Sequence, residues 1–134
     1  MKHISFRLCP GQFLKEEIEK LAVEQGIKAG VLLSVVGGLE NAILRMAGSD
    51  ADNQIIKEWN EPFEIVSGTG TISQEGCHIH ISLSKQNGEV IGGHLKDGSK
   101  VKFTAEIAIG VMDDVSFTRV FDPQTGFKEL VVGH

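Results

Sequence analysis

Three of the five histidines lie in one stretch, HIHISLSKQNGEVIGGHL, which runs from His78 to Leu95. His78 and His80 are separated by one residue, and residues two apart in a strand project from the same face. His94 follows after an Asn-Gly pair, which is typical of a tight β-turn. Neutral imidazole is a ligand for zinc, and iron and nickel also accept it. Whether these three rings can bind one ion depends on how the two strands pair.

Two pairings fit the turn residues of this hairpin. A two-residue turn centred on Asn87-Gly88 mixes charged groups into the apolar face. A three-residue loop over 86–88, with Gly88 left-handed, keeps that face apolar and places His80 opposite His94. Because a slip of one residue exchanges the two faces, burial favours the second pairing. The apolar face then carries Ile79, Ile81, Leu83, Ile91 and Leu95, and the other face carries His78, His80, Ser82 and His94.

This pairing predicts a divalent metal site at His78, His80 and His94, with zinc as the first choice. Three histidines that leave a fourth position open are typical of a reactive or ligand-binding zinc rather than a structural one. Gly92 and Gly93 would let backbone or a ligand approach. The alternative interpretation is a row of solvated or hydrogen-bonded histidines without an ion.

The bulk composition indicates one ordinary globular domain over 1–134, with 41% apolar and 23% charged residues. The 13 basic and 18 acidic residues give a net charge of -5, which argues against direct nucleic-acid binding. Cys9 and Cys77 form no metal or disulfide motif and are expected to be reduced, with Cys77 as a core thiol. No signal peptide or membrane span is recognised, so we expect a soluble, cytoplasmic protein.

The remaining elements predict an α+β fold, with a mostly antiparallel sheet and one main N-terminal helix. Apolar residues recur at helical spacing in PGQFLKEEIEKLAVEQGI, and Gly26 is placed to end that helix. Val31–Val36 predicts a strand buried on both faces, and the following AILRMAG is expected to continue it or pair with it. The segment VKFTAEIAIGVM alternates strictly, which predicts Phe103 on its buried face.

Four segments together resemble a known family. LLSVVGGLENAILR, EPFEIVSGTGTIS, HIHISLSKQNGEVIGGHL and VKFTAEIAIGVM are similar to successive blocks of the plants-and-prokaryotes-conserved domain, from about Arg7 to Val132. The resemblance implies a stand-alone prokaryotic member, a homotrimer and a provisional DNA-binding label. In plants the domain accompanies AT-hook motifs, whose Arg-Gly-Arg-Pro core this chain lacks, so direct DNA contact is not expected.

Carried onto this sequence, the family's histidine block falls on His78, His80 and His94. Its arginine before the first helix falls on Arg7, and its Ser-x-x-Gly pattern falls on Ser34 and Gly37, where a ligand could approach. Many members have glutamate after the Pro-Gly pair, whereas this chain has a glutamine.

Three functions are compatible with these features. The first is a trimeric binding or regulatory module with a metal at the histidines and a small-molecule or protein partner. The second is a metal-dependent enzyme of unknown substrate, with Arg7 binding an anion and Glu106 as candidate base. The third is a DNA-associated regulator.

Overall fold

A computed structural model describes the whole chain, Met1 to His134, as ten strands and one helix. In chain order the elements are β1 Lys2–Leu8, α1 Leu14–Glu24, β2 Gly30–Leu39, β3 Ala42–Arg45, β4 Ile56–Trp59, β5 Phe63–Ser73, β6 Gly76–Ser84, β7 Val90–Leu95, β8 Val101–Val111, β9 Ser116–Phe121 and β10 Lys128–Gly133. The α+β class predicted from the sequence is confirmed.

Eight strands form one sheet in the order β1-β8-β2-β5-β6-β7-β3-β4, and every neighbouring pair is antiparallel. Strands β9 and β10 form a separate hairpin. Strand β3 neither continues nor pairs with β2, so that expectation is wrong. Both edges of β2 are already occupied, by β8 and β5, and β3 lies instead between β7 and β4. This placement brings β3 beside the histidine hairpin.

The helix α1 packs on β5 and β6 and closes the core beneath the histidine hairpin. Its apolar stripe is buried at Leu14, Ile18 and Ala22. Gly26 has φ 61 and follows the last turn, so it ends the helix as predicted. With 11 residues, α1 is too short to cross a bilayer, and the chain has no other helix.

The expectation that Val31–Val36 is buried on both faces is wrong for the single chain. Leu32 and Val35 are buried, but Leu33 is 51% exposed and Val36 is 56% exposed. The pairing with β8 shifts register between Leu32 and Ser34, which places an extra residue on the outer side. The core covers only one face of this strand.

Strand β8 departs from strict alternation at Phe103. Ala105, Ile107 and Ile109 are buried as predicted, but the Phe103 side chain is 72% exposed, which contradicts its predicted burial. Phe103 has φ 67, a left-handed conformation that is rare for residues other than glycine. The register shift between Gly37 and Gly38 of β2 opposes this part of β8 and accounts for the break in alternation.

Candidate metal centre

The histidine hairpin has the register selected by its apolar face. His80 lies opposite His94, and Leu83 lies opposite Ile91. Gly88 has φ 84 in the connecting loop, as the three-residue turn requires. Burial of the apolar face therefore brings the histidines together on the opposite face.

The three imidazoles form a compact cluster within one chain. Nε2 of His78 lies 3.1 Å from Nε2 of His80. The ring centre of His94 is 4.7 Å from that of His78 and 5.5 Å from that of His80. One nitrogen of each ring lies within 4.8 Å of the others.

The spacing of these nitrogens is compatible with a shared ion. Two nitrogens bound to one tetrahedral zinc are about 3.3 Å apart, from zinc-nitrogen distances near 2.0–2.1 Å. The 3.1 Å separation of His78 and His80 is close to that value. His94 would have to turn toward the other two to complete a three-ligand set.

The surroundings keep two of the rings neutral. Burial, together with repulsion from the nearby Arg45, lowers the pKa of His94 to about 3. Burial also lowers the pKa of His78, with added repulsion from His80 and Arg119. Neutral imidazole is the protonation state that binds metals, and these two rings are neutral at neutral pH.

Arg45 contacts the cluster, which the sequence did not predict. It pairs with His94 across β3 and β7, and its Nη2 donates to His94 Nδ1 at 3.1 Å. The Arg45 guanidinium also lies over the ring of Phe127, with Cζ 4.9 Å from the ring centre. The only sequence signal for Arg45 was its place in the segment AILRMAG, which the sequence wrongly associated with β2 instead of β7.

A recess of about 230 Å³ opens beside His78 and His94, and we call it the histidine recess. A second arginine borders it, because the β9–β10 hairpin folds back toward the end of β5. Arg119 Nη2 donates to Thr71 Oγ1 at 2.8 Å. Neither Arg45 nor Arg119 forms an ion pair. The recess is lined by Glu19, Arg45, Glu75, Gly76, Cys77, His78, His94, Arg119, Phe127, Lys128 and Glu129.

Cys77 borders the recess but behaves as a structural thiol. Burial raises its pKa to about 12, and the neighbouring Glu19 carboxylate adds to that effect. Its side chain packs against the hydrophobic core, and its backbone N–H donates to Glu19 Oε2 at 3.0 Å. The protonated thiol is a poor metal ligand, so the ligand set remains the three histidines.

Arg7 and Glu106 lie away from the histidines. In the sheet order β8, β2 and β5 separate β1, which carries Arg7, from β6. Arg7 donates to Thr104 Oγ1 at 3.0 Å and to the Phe103 carbonyl at 2.9 Å. Glu106 is exposed and pairs with Arg7 across β1 and β8. The arginine therefore holds the irregular part of β8.

Gly37 allows β2 and β8 to pack closely. The sequence pattern alone could not distinguish this packing role from the approach of a ligand. A β-carbon on Gly37 would lie 1.9 Å from the Thr104 carbonyl oxygen. Ser34 is exposed beside the irregular part of β2. Gly37 also borders an open recess of about 600 Å³, which we call the glycine groove. That groove is lined by Gly37, Gly38, Pro62, Phe63, Glu64, Ser84, Lys85, Gln86, Gly88, Lys102, Phe103 and Thr104.

Gly92 and Gly93 allow neighbouring strands to come close. A β-carbon on Gly92 would lie 2.7 Å from the Ile81 carbonyl oxygen. One on Gly93 would lie 2.8 Å from the Arg45 carbonyl oxygen. These glycines thus permit the close pairing of β7 that places His94.

Fold and site together define an α+β protein with a three-histidine cluster on the outer face of a central hairpin. The sequence matches the Plants and Prokaryotes Conserved (PCC) domain over residues 1–113, and the chain belongs to that family. It is 38% identical over 130 residues to the bifunctional protein GlmU of Synechococcus sp. (strain JA-2-3B'a(2-13)). That match covers 97% of this chain and 20% of the relative, so the chain spans about a fifth of its curated relatives' length.

Solved structures share the whole fold. A hypothetical protein of Salmonella enterica has a TM-score of 0.91 at 27% identity, covering 98% of this chain and 93% of that one. A metal-containing protein of Archaeoglobus fulgidus has a TM-score of 0.84 at 32% identity, covering 98% and 94%. A Bacteroides thetaiotaomicron protein with a provisional DNA-binding designation has a TM-score of 0.84 at 19% identity, covering 96% and 91%.

Proposed function

We propose that this chain is a PCC-family binding module that holds a divalent metal, zinc as the first choice, at His78, His80 and His94. The observation that carries the proposal is the convergence of three imidazoles in one chain, with two nitrogens 3.1 Å apart. A further support is the Archaeoglobus relative, which is itself named as metal-containing. When bound, zinc would offer one open position to a ligand from the adjoining recess.

Metal analysis of the untagged protein tests this proposal. We expect one divalent ion per chain in the wild type, and less than about a tenth of that in His80→Ala, because two imidazoles hold zinc far more weakly than three. His3→Ala is the matched control, since His3 lies on β1 and outside the cluster. A wild type that takes up no ion, or a His80→Ala protein that retains it, would contradict the proposal.

We also propose that the module assembles as a homotrimer. Large apolar side chains are exposed on three adjacent strands, β8, β2 and β5. Exposed apolar area of this kind is more often covered by a partner than left in water. The residues are Leu33 at 51%, Val36 at 56%, Val66 at 56% and Phe103 at 72% exposure. Light scattering on the purified protein measures the assembly.

A metal-dependent enzyme is the second candidate, favoured by the carboxylates that border the histidine recess. Glu129 lines the recess and raises the pKa of His78 by its charge, which indicates that it is near that ring. A carboxylate near an open metal position can act as a general base. A screen of carbonyl, ester and phosphate substrates with the metal-loaded protein tests this candidate. Turnover must be lost in His80→Ala. Equal turnover in the wild type and in His80→Ala would contradict a metal-dependent enzyme.

Nucleic-acid binding has the weakest physical support. A net charge of -5 opposes a phosphate backbone, although relatives of this fold carry a DNA-binding designation. The occurrence of a similar segment within much longer proteins favours a module that serves other domains. A gel shift that vanishes at modest salt would support only non-specific contact.

A further inference from the structure

The bond between Arg45 and His94 conflicts with metal binding. A guanidinium can only donate, so the Nδ1 of His94 uses its lone pair to accept from Arg45 Nη2 at 3.1 Å. The other nitrogen of that neutral ring then carries its single proton. A neutral imidazole has one lone pair, and a metal ligand must give that lone pair to the ion. Neutral His94 therefore cannot accept from Arg45 and bind a metal at the same time.

We propose that metal binding releases Arg45 from His94, and that Arg45 and Arg119 then hold a small oxyanion, a carboxylate or a phosphate, in the histidine recess. This inference rests on the metal-binding function proposed above and names the class of ligand that the site takes.

The released Arg45 stays at the recess. Its guanidinium lies over the Phe127 ring, which is a favourable contact for a cation and holds the group beside the site. Arg119 is fixed from the other side by its bond to Thr71 Oγ1 at 2.8 Å. Guanidinium groups bind carboxylate and phosphate through paired hydrogen bonds, and neither arginine is engaged in an ion pair.

The charges of the recess make anion binding depend on the metal. The lining contains three cationic side chains, Arg45, Arg119 and Lys128, and three carboxylates, Glu19, Glu75 and Glu129. These six charges balance, so the recess alone does not attract an anion. The two positive charges of a bound divalent ion would make the net charge of the recess positive. We therefore expect the metal-loaded protein to bind oxyanions and the metal-free protein to bind them far more weakly.

The size of the recess limits the ligand. A volume of about 230 Å³ accommodates roughly eight water-sized groups, below the range of about 300–1,000 Å³ for drug-sized ligands. An oxyanion of a few heavy atoms fits this space. Such an anion offers oxygens both to the guanidinium groups and to an ion that would be held by the histidines.

Cobalt(II) loading of the untagged chain tests the inference, because the visible absorption of cobalt reports changes in its ligands. The probes are glycolate and inorganic phosphate, with chloride as a simple anion that cannot bridge metal and arginine. We expect at least one oxyanion to change the spectrum at concentrations where chloride does not. The probe that binds distinguishes a carboxylate ligand from a phosphate ligand.

Variants separate the role of Arg45 from general charge. Arg45→Met keeps the aliphatic stem and removes every donor, so oxyanion affinity should fall by about tenfold or more. The cobalt affinity of Arg45→Met should rise severalfold, because the variant lacks both the hydrogen bond to His94 and the positive charge of Arg45. Lys2→Met removes one charge on β1, outside the recess, and should change neither affinity.

The outcomes distinguish this inference from the proposed function. A wild type that takes up no cobalt overturns both. Cobalt uptake without a spectral change from either oxyanion, or with an equal change from chloride, overturns the inference and leaves metal binding intact. Lower cobalt affinity in Arg45→Met than in the wild type overturns the proposed competition for His94.

Discussion

The histidine recess and the glycine groove differ in chemistry more than in size. The groove is the larger, at about 600 Å³ against about 230 Å³, yet no histidine or cysteine lines it. The smaller recess brings together two imidazoles, two guanidinium groups that form no ion pair, and an aromatic ring. Volume alone would make the groove the candidate site. The metal-ligating and anion-binding side chains instead favour the recess. In this protein the side chains that can bind an ion or an anion locate the candidate site.

The two regions also differ in their surroundings. The groove adjoins the irregular part of β2 and β8, where Val36 and Phe103 are exposed. The recess lies on β6, β7 and β3, with the β9–β10 hairpin beside it. We interpret the first region as a surface for assembly and the second as a surface for ligands.

The largest expected effect is the loss of assembly in Val36→Glu. A charged side chain at an apolar interface is strongly unfavourable, so we expect the mass measured by light scattering to fall from that of a trimer to that of a monomer. The metal content should stay at one ion per chain, because all three histidines belong to one chain. Val23→Glu on α1, where Val23 is 59% exposed, is the control and should remain trimeric. A trimeric Val36→Glu protein would break the distinction between the two regions.

A second effect concerns the backbone of the groove. Gly37 has φ 152, and a β-carbon there would lie 1.9 Å from the Thr104 carbonyl oxygen. We expect Gly37→Ala to lower the free energy of unfolding by about 3 kcal/mol, measured by urea denaturation, because β2 and β8 must separate. Gly88→Ala is the control: its φ is 84, but no atom lies within 4 Å of the added carbon. Its cost should be about 1 kcal/mol, and equal losses would contradict the packing explanation.

A third effect concerns the thiol at the histidine recess. Burial raises the pKa of Cys77 to about 12, and the reactive species is the thiolate. At pH 8 a thiol reagent should modify the exposed Cys9 quickly and Cys77 at least about a hundredfold more slowly. Cys9→Ser should retain only the slow reaction. Rapid modification of Cys77 in that variant would show that the thiol is available at the recess.

The sequence was sufficient to predict the hairpin because the signals that define it are local. Burial of Ile79, Ile81 and Leu83 excludes the pairing shifted by one residue, and the pairing that remains for this turn places His80 opposite His94. The helix was predictable for the same reason, from spacing within a single turn and Gly26 at its end.

The arginines were not predictable because they depend on contacts between distant segments. Arg45 reaches His94 only through the pairing of β3 with β7, and Arg119 arrives on a hairpin that folds back over the sheet. Likewise, Phe103 turns outward at an irregularity opposite Gly37 and Gly38. The alternation of β8 alone cannot reveal the exposure of Phe103, since the register shift lies in the partner strand β2.

The smallest effect is a pH dependence that originates in the cluster itself. The pKa of His94 is about 3 in the folded chain, against an ordinary value of 6.5, so only the unfolded chain takes up this proton between those values. Stability is therefore fully present above pH 6.5 and declines as the pH falls toward 3. Between pH 7.5 and 5.5, the metal-free wild type should lose about 1 kcal/mol more than His94→Gln in urea denaturation, a value reduced because the ring is partly solvated. His3→Gln should follow the wild type, and identical losses in wild type and His94→Gln would show that the ring is not held neutral by its surroundings.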